Sequence, residues 1–240
     1  MTDKIVISLY DYTGEALKPW AEAGYTCYAY DIQHSGRIGY FPDSGGIIHY
    51  DFADLHNRNT LKALRQEFKN KDVVFAMAFP VCTDLAVSGA AHFKRKAEKD
   101  PHFQTKAAKY AMWCGELFEA LGVPYFIENP VSVLSTLWRK PDHTFHPYEY
   151  GRYLRHSEAE HPRWPEYIAD NDAYPKKTCL WTGNGFVMPA KLPVPVSDGY
   201  SKQHLKLGGK SMKTKNIRSA TPRGFAKAVF FANDFEREEV

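Results

Sequence analysis

The chain has 240 residues, 44% apolar, 15% aromatic and 25% charged; it is long enough for one sizeable core and too aromatic for global disorder. Its 31 Lys and Arg against 28 Asp and Glu leave a formal charge of only +3, so composition neither requires nor excludes a polyanionic partner. No apolar run reaches membrane-span length, the N-terminus lacks a signal-peptide pattern, and the 4 cysteines include no CxxC pair, so neither a disulfide framework nor a zinc site is expected and a reducing cytoplasm is the simplest setting.

Lys4–Tyr10 is a β-rich run, followed by a turn at Tyr12–Gly14 and a helical stretch over Glu15–Ala23 that ends at Gly24. Tyr25–Asp31 predicts a second strand and Ile47–Phe52 a short third one. Over Thr60–Lys69, Leu61, Leu64 and Phe68 fall on one helical face, and Asp72–Phe79 is a near-continuous apolar run of the kind covered on both faces. Asp100 at a cap position and Pro101 in the first turn predict the start of a long helix. That helix carries Ala107, Ala111, Cys114, Phe118 and Leu121 on one stripe and stops at Gly122. Tyr125–Ile127 is a further strand, followed directly by Glu128-Asn129-Pro130. The alternation implies an α/β fold with a parallel sheet and helices on both faces. Residues 131–218 have little periodicity and read as a small irregular lobe with one strand at Lys177–Trp181. From Tyr200 to Arg218 there are six Lys or Arg and no acid, and Gly208-Gly209 marks a mobile loop; Thr221-Pro222 then opens a last helix.

In such a sheet ligands bind at the carboxyl ends of the strands, where Asp11, Asp31, Asp51, Pro80–Cys82 and Glu128 fall. A strand, a Gly-containing turn, a helix, a second strand and a terminal acid is an adenosine-binding arrangement, with Asp31 placed to accept from both ribose hydroxyls. The turn lacks the GxGxxG glycines, so a plain strand-to-helix turn with an acid at the sheet edge is the other account. Cys82, just past an apolar strand, is either a buried structural thiol or a nucleophile facing a cleft. Glu128, straight after a buried strand, is poorly placed for a structural role unless paired. A thiol beside a carboxyl group suits attack on an electron-poor heterocycle, the acid protonating or holding a ring nitrogen while sulfur adds to carbon. His143, His146, His156 and His161 have no metal-binding spacing, so no metal is expected.

The ordered set SLYDYTGEAL, YAYDIQ, HYDFADL, AFPVCTDLAVSG, FIENP and SATPRGFAKAV resembles the motif series of the DNA cytosine-5 methyltransferases, especially short, phage-type members. The resemblance covers residues 4–137 and 217–233. It implies a Rossmann-like S-adenosylmethionine-dependent methyltransferase fold with a catalytic core over 1–137, a substrate-facing lobe over 138–216 and a C-terminal helix over 217–240 returning to the core. By this resemblance Tyr10, Thr13 and Gly14 match the cofactor loop. Asp31 and Ile32 meet ribose and adenine, Asp51 and Phe52 the adenine edge and face, and Pro80, Ser219 and Thr221 complete the cofactor site. Cys82 matches the nucleophile that adds to cytosine C6, and Glu128 the acid on N3 and the exocyclic amine. Lys177 stands for the basic residue that holds O2, where the family uses arginine. The chain departs from the pattern at Tyr12 in place of a glycine, at Ser8 where an acid is common, and at Val81 and Thr83 on either side of the cysteine.

A cytosine in duplex DNA must leave the stack to meet a thiolate, which calls for phosphate-binding cations near the pocket. Lys94, Arg95 and Lys96 follow the cysteine loop, and Lys206, Lys210, Lys213 and Lys215 precede the last helix. Both runs also suit a solvated surface. DNA is thus the expected partner, in a host cytoplasm if the gene is a phage's. A free pyrimidine nucleotide or RNA substrate, and a non-catalytic binding protein on the same fold, are the alternatives.

Overall fold

The computed structural model describes residues 4–196, 202–209 and 211–234. Its strands are β1 (Ile5–Leu9), β2 (Thr26–Asp31), β3 (Arg37–Phe41), β4 (Gly46–Phe52), β5 (Val73–Ala78), β6 (Tyr125–Pro130), β7 (His143–Phe145) and β8 (Thr178–Gly183). The helices are α1 (Lys18–Glu22), α2 (Arg58–Phe68), α3 (Phe93–Lys99), α4 (Phe103–Leu121), α5 (Leu134–Leu137), α6 (Lys202–Lys206), α7 (Met212–Ser219) and α8 (Arg223–Asn233). All eight strands form one sheet in the order β3-β4-β2-β1-β5-β6-β8-β7.

The five strands β4, β2, β1, β5 and β6 are parallel to their neighbours in this series. The expectation of a parallel sheet is corrected at both ends. β3 pairs antiparallel with β4, and β8 runs antiparallel to both β6 and β7. Two of these strands, β7 and β8, come from the segment expected to form the lobe, which therefore contributes directly to the main sheet. The chain leaves β1 for β2 on one side and returns to β5 on the other, so a crevice opens between the carboxyl ends of β1 and β5.

Alternation along the strands divides the interior into two layers. Ile5, Ile7 and Leu9 of β1 face a core shared with Leu61, Leu64 and Phe68 of α2 and Ala107, Ala111, Cys114 and Phe118 of α4. Val6 faces the other core, with Leu17, Trp20 and Ala21 near α1 and Phe225, Val229 and Phe230 of α8. Trp20 is fully buried, stacked 5.0 Å from Phe75 and edge-on to Phe230 at 5.0 Å. α4 ends as its sequence predicts, with Gly122 left-handed at φ 70°.

The start of α4 is a second correction. Asp100 is not its cap; it closes the separate helix α3, and its Oδ1 accepts from the His102 N–H in the turn between the two. Two short helices with a tight link satisfy the same Asp and Pro preferences as one longer helix. Gly46, at the start of β4, lies so close to α1 that an added Cβ would sit 1.9 Å from the Ala21 carbonyl oxygen. Gly46→Ala should lower unfolding stability by about 1–3 kcal/mol through overpacking, measured by denaturant titration; an unchanged midpoint would refute this contact.

Candidate active site

The residues of interest gather where β1, β5 and β6 end. The loop after β5 is fastened to the chain leaving β6. Asn129, fully buried, donates from Nδ2 to the Pro80 carbonyl at 3.0 Å. The Val87 N–H donates to Val131 at 3.1 Å and the Val133 N–H to Leu85 at 3.0 Å, flanking a bridge between Ala86 and Ser132. Within the loop the Cys82 carbonyl accepts from the N–H groups of Leu85 and Ala86, a turn that fixes the thiol's backbone. Lys96 of α3 adds an ion pair to Asp84 and a bond to the Thr83 carbonyl at 3.4 Å. Cys82 and Glu128 are thus presented on neighbouring, mutually bonded segments.

Burial raises the Cys82 thiol pKa, and the Glu128 charge raises it further, while Lys176 and the Cys82 N–H oppose the rise. Burial likewise raises Glu128, and Lys176 opposes it. Lys176 is the cation that both groups feel. A small open pocket, of about 10 Å³, is lined by Glu128, Lys176, Thr178, Ser219, Thr221 and the rings of Phe79, Phe145 and Phe225. Lys177, expected at this place, is exposed, and Lys176 takes the position in the pocket wall. A one-residue offset turns a side chain to the other side of an extended segment. Lys176 is itself steadied by donating from Nζ to the Arg218 carbonyl at 2.8 Å.

On the β1 side, the Asp11 carboxylate is buried and accepts from Ser8 Oγ (2.8 Å), Thr13 Oγ1 (3.2 Å) and the Gly14 N–H (2.7 Å). Burial raises its pKa in spite of these bonds. Tyr10 adopts φ 59°, unusual for a non-glycine residue, and its hydroxyl donates to the Leu55 carbonyl. Gly14 has φ 69°, and the place of its missing Cβ is taken by Tyr50, whose hydroxyl would lie 2.5 Å away. Tyr12 stacks on buried His34 at 5.8 Å, and His34 Nε2 bonds the Asp11 carbonyl at 3.1 Å. Arg163, from the segment between β7 and β8, donates to the Thr13 carbonyl (2.8 Å) and to buried Glu15 (2.6 Å). Burial alone would raise the Glu15 carboxyl, but Lys18 and Arg163 together hold it below its ordinary value.

At the ends of β2 and β4, Asp31 and Phe52 are register partners. Asp31 is buried, and its Oδ1 accepts from the Gln33 N–H at 2.8 Å. Ile32 is 60% exposed and Phe52 62% exposed. Two bare apolar side chains flanking a fixed carboxylate suit a flat heterocycle joined to a sugar diol; these residues therefore fit the adenosyl part of S-adenosylmethionine. Asp51, the residue before Phe52 in β4, is partly exposed. The Gly14 N–H is already used by Asp11, so the loop Tyr10–Gly14 offers the cofactor less than its sequence implies.

Of the expected phosphate contacts, Lys94 and Arg95 are exposed on α3, whereas Lys96 is engaged with the cysteine loop. Lys206, Lys213 and Lys215 are exposed on α6 and α7, with Lys213 5.5 Å from the Tyr167 ring. Lys210 lies outside the described residues. Sequence reasoning missed Lys176, Asn129 and Arg163. The first was signalled by the Lys-Lys doublet before a strand; the other two act through contacts over 49 and 150 residues of chain, for which no local pattern exists.

No family model matches this chain, and no curated protein matches it. Among solved structures it is similar to an E. coli chain provisionally described as a DNA modification methyltransferase encoded within a prophage. The two are 14% identical with a TM-score of 0.40, over 75% of this chain and 46% of that one, so the present chain spans under half of that protein's length.

Cys27, Cys114 and Cys179 are buried, whereas Cys82 is only partly buried. One thiol should therefore react with iodoacetamide well before the other three. Its pH profile should lie above that of a free cysteine, move lower in Glu128→Gln and move higher in Lys176→Met. Mass mapping of the alkylated residue checks this; equal labelling of all four refutes it. Glu128 also binds its proton more tightly folded than unfolded. Its contribution to stability is thus full below its unfolded pKa and is lost as pH rises through the higher folded value. Melting temperatures of Glu128→Gln should lack that loss.

Proposed function

We propose that this chain is an S-adenosylmethionine-dependent methyltransferase that modifies C5 of cytosine in DNA through a covalent adduct between Cys82 and C6. The reading is supported by a thiol, a carboxyl and an amine on neighbouring segments: Cys82 in the loop bonded to the chain leaving β6, and Glu128 with Lys176 in the pocket wall.

Attack at C6 pushes electrons toward N3, and a proton delivered there stabilises the adduct. Burial raises the Glu128 pKa, so that it holds this proton to a higher pH than an ordinary carboxyl does, while Lys176 opposes the rise. A protonated Glu128 no longer repels the Cys82 thiolate, and Lys176 then favours the ionised sulfur. The reactive arrangement, neutral acid with charged thiolate, has the same proton count as the idle one, ionised acid with neutral thiol. Lys176 also faces the pocket where a base carbonyl oxygen such as O2 can accept from it. S-adenosylmethionine supplies an electrophilic methyl group for C5. Asp31, Ile32 and Phe52 would hold its adenosyl part, with Asp51, Pro80, Ser219 and Thr221 bordering it. After methylation, loss of the C5 proton to a base releases Cys82 from C6. The exposed Lys94 and Arg95 on one side and Lys206, Lys213 and Lys215 on the other would meet phosphates.

Transfer of labelled methyl groups from S-adenosylmethionine to duplex DNA should be abolished in Cys82→Ser and reduced by about 10²–10⁴-fold in Glu128→Gln. The variants' thermal stability should be retained. Label transfer by Cys82→Ser at the wild-type rate would overturn the mechanism.

A second reading, a non-catalytic nucleic-acid-binding protein, is favoured by one observation: Tyr50 fills the space beside Gly14, and Asp11 takes its N–H. Titration calorimetry with S-adenosylmethionine separates the two. Micromolar binding that is lost in Asp31→Ala and Phe52→Ala supports the enzyme; absence of binding supports the second reading.

A further inference from the structure

The turn after β2 carries the carboxylate suited to a ribose diol, and its own hydrogen bonds tie that carboxylate to Gln33. The Asp31 carbonyl accepts from the N–H groups of His34 (3.3 Å) and Ala53 (3.2 Å), while Asp31 Oδ1 accepts from the Gln33 N–H at 2.8 Å. The last bond closes a turn between a side chain and the backbone two residues on. Whatever fixes Gln33 therefore also fixes the aim of the carboxylate. Ile32, between them, is exposed, so packing does little to hold the tip of this turn.

The tip is held from across the molecule. Gln33 Nε2 donates to Asn216 Oδ1 at 3.3 Å, and Asn216 Nδ2 donates back to Gln33 Oε1 at 3.0 Å, a reciprocal amide pair over 183 residues of chain. Both side chains are half-buried. Each amide offers a donor and an acceptor, so the pair fixes orientation as well as distance. Asn216 has a firm support of its own. At the start of α7, Ser211 Oγ accepts from the Thr214 N–H at 3.1 Å. Thr214 and Ile217 are buried, and Ile217 packs with Ile168, Tyr174, Leu207 and Ala220. The chain leaving α7, from Ser219 to Pro222, lines the pocket beside Glu128. Among the described residues no other hydrogen bond joins α7 to β1, β2, β4 or the turns that follow them.

We propose that Asn216 is a positioning residue for the ribose of the cofactor: clasped to Gln33, it holds the turn that aims the Asp31 carboxylate at the sugar hydroxyls. Asn216 touches no part of the ligand and acts through Gln33 alone. The inference rests on the S-adenosylmethionine reading above and adds the support that makes its sugar contact selective.

The test is titration calorimetry of the full chain with S-adenosylhomocysteine and with its 2′-deoxy analogue. In the wild type, loss of the hydroxyl should weaken binding about tenfold, as for a hydrogen bond to a charged group. In Asn216→Ala the same loss should cost only about twofold, because the carboxylate is no longer aimed. That variant should bind S-adenosylhomocysteine about five- to tenfold more weakly than the wild type, and the analogue at most about twofold more weakly. Gln33→Ala should behave likewise, and the double variant should be no worse than either single change. Exchanging the two amides, Gln33→Asn with Asn216→Gln, keeps the summed reach of the pair and should restore the preference. A general loss of structure would weaken both ligands alike. Equal losses for the two ligands, or an exchanged pair no better than the single changes, overturn the positioning role. A wild type that binds neither ligand sinks the cofactor reading and the clasp with it. A wild type that binds both equally, or whose preference survives in Asn216→Ala, sinks the clasp alone.

Discussion

The amide of Asn129 bonded to the Pro80 carbonyl, together with the main-chain bonds between 85–87 and 131–133, is the constraint on which the site depends. The sheet makes β5 and β6 neighbours, but adjacency of strands does not by itself fix the loops beyond them. Here the loop that carries Cys82 and the strand end that carries Glu128 are bonded into one unit. The relative placement of sulfur and carboxyl is therefore set by backbone geometry rather than by flexible side chains, the kind of rigid support that covalent chemistry demands.

The same enclosure creates a tension. Burial favours the protonated form of Glu128 and of Cys82 alike, and a thiol that is to act as a nucleophile would need the opposite. Lys176 is the only element of the trio that favours charge on both groups. It acts on either group, so it does not choose which one ionises. That choice falls to whatever enters the pocket: a ring nitrogen able to take a proton from the acid, or a carbonyl oxygen able to accept from the lysine, changes the balance between the two proton placements.

Much of the central sheet was legible because buried parallel strands write continuous apolar runs: β1, β2 and β5 lie within a residue or two of where those runs predict. Cys82 and Glu128 were legible as polar residues at the ends of such runs. β3 was not, because a solvent-facing edge strand, Arg-Ile-Gly-Tyr-Phe, buries too little to leave a pattern. The strands β7 and β8 looked like lobe material because three residues of β7 carry no period, and pairing partners far apart in sequence decide their place. Lys177 was chosen over Lys176 for a related reason: composition finds a lysine pair, while only the folded path of the chain leading into β8 tells which one turns inward. The Gly14 turn shows the converse. Its glycine is legible, but its purpose, making room for Tyr50, depends on a strand 36 residues away.

Arg163 ties the segment between β7 and β8 to the Thr13 carbonyl and to Glu15, directly beneath the first strand-to-helix turn. Both bonds come from one guanidinium nitrogen, Nη2, which pins that segment to the turn. Any displacement of that segment is transmitted to the turn. The placement of that segment and the shape of the turn are therefore linked through one side chain.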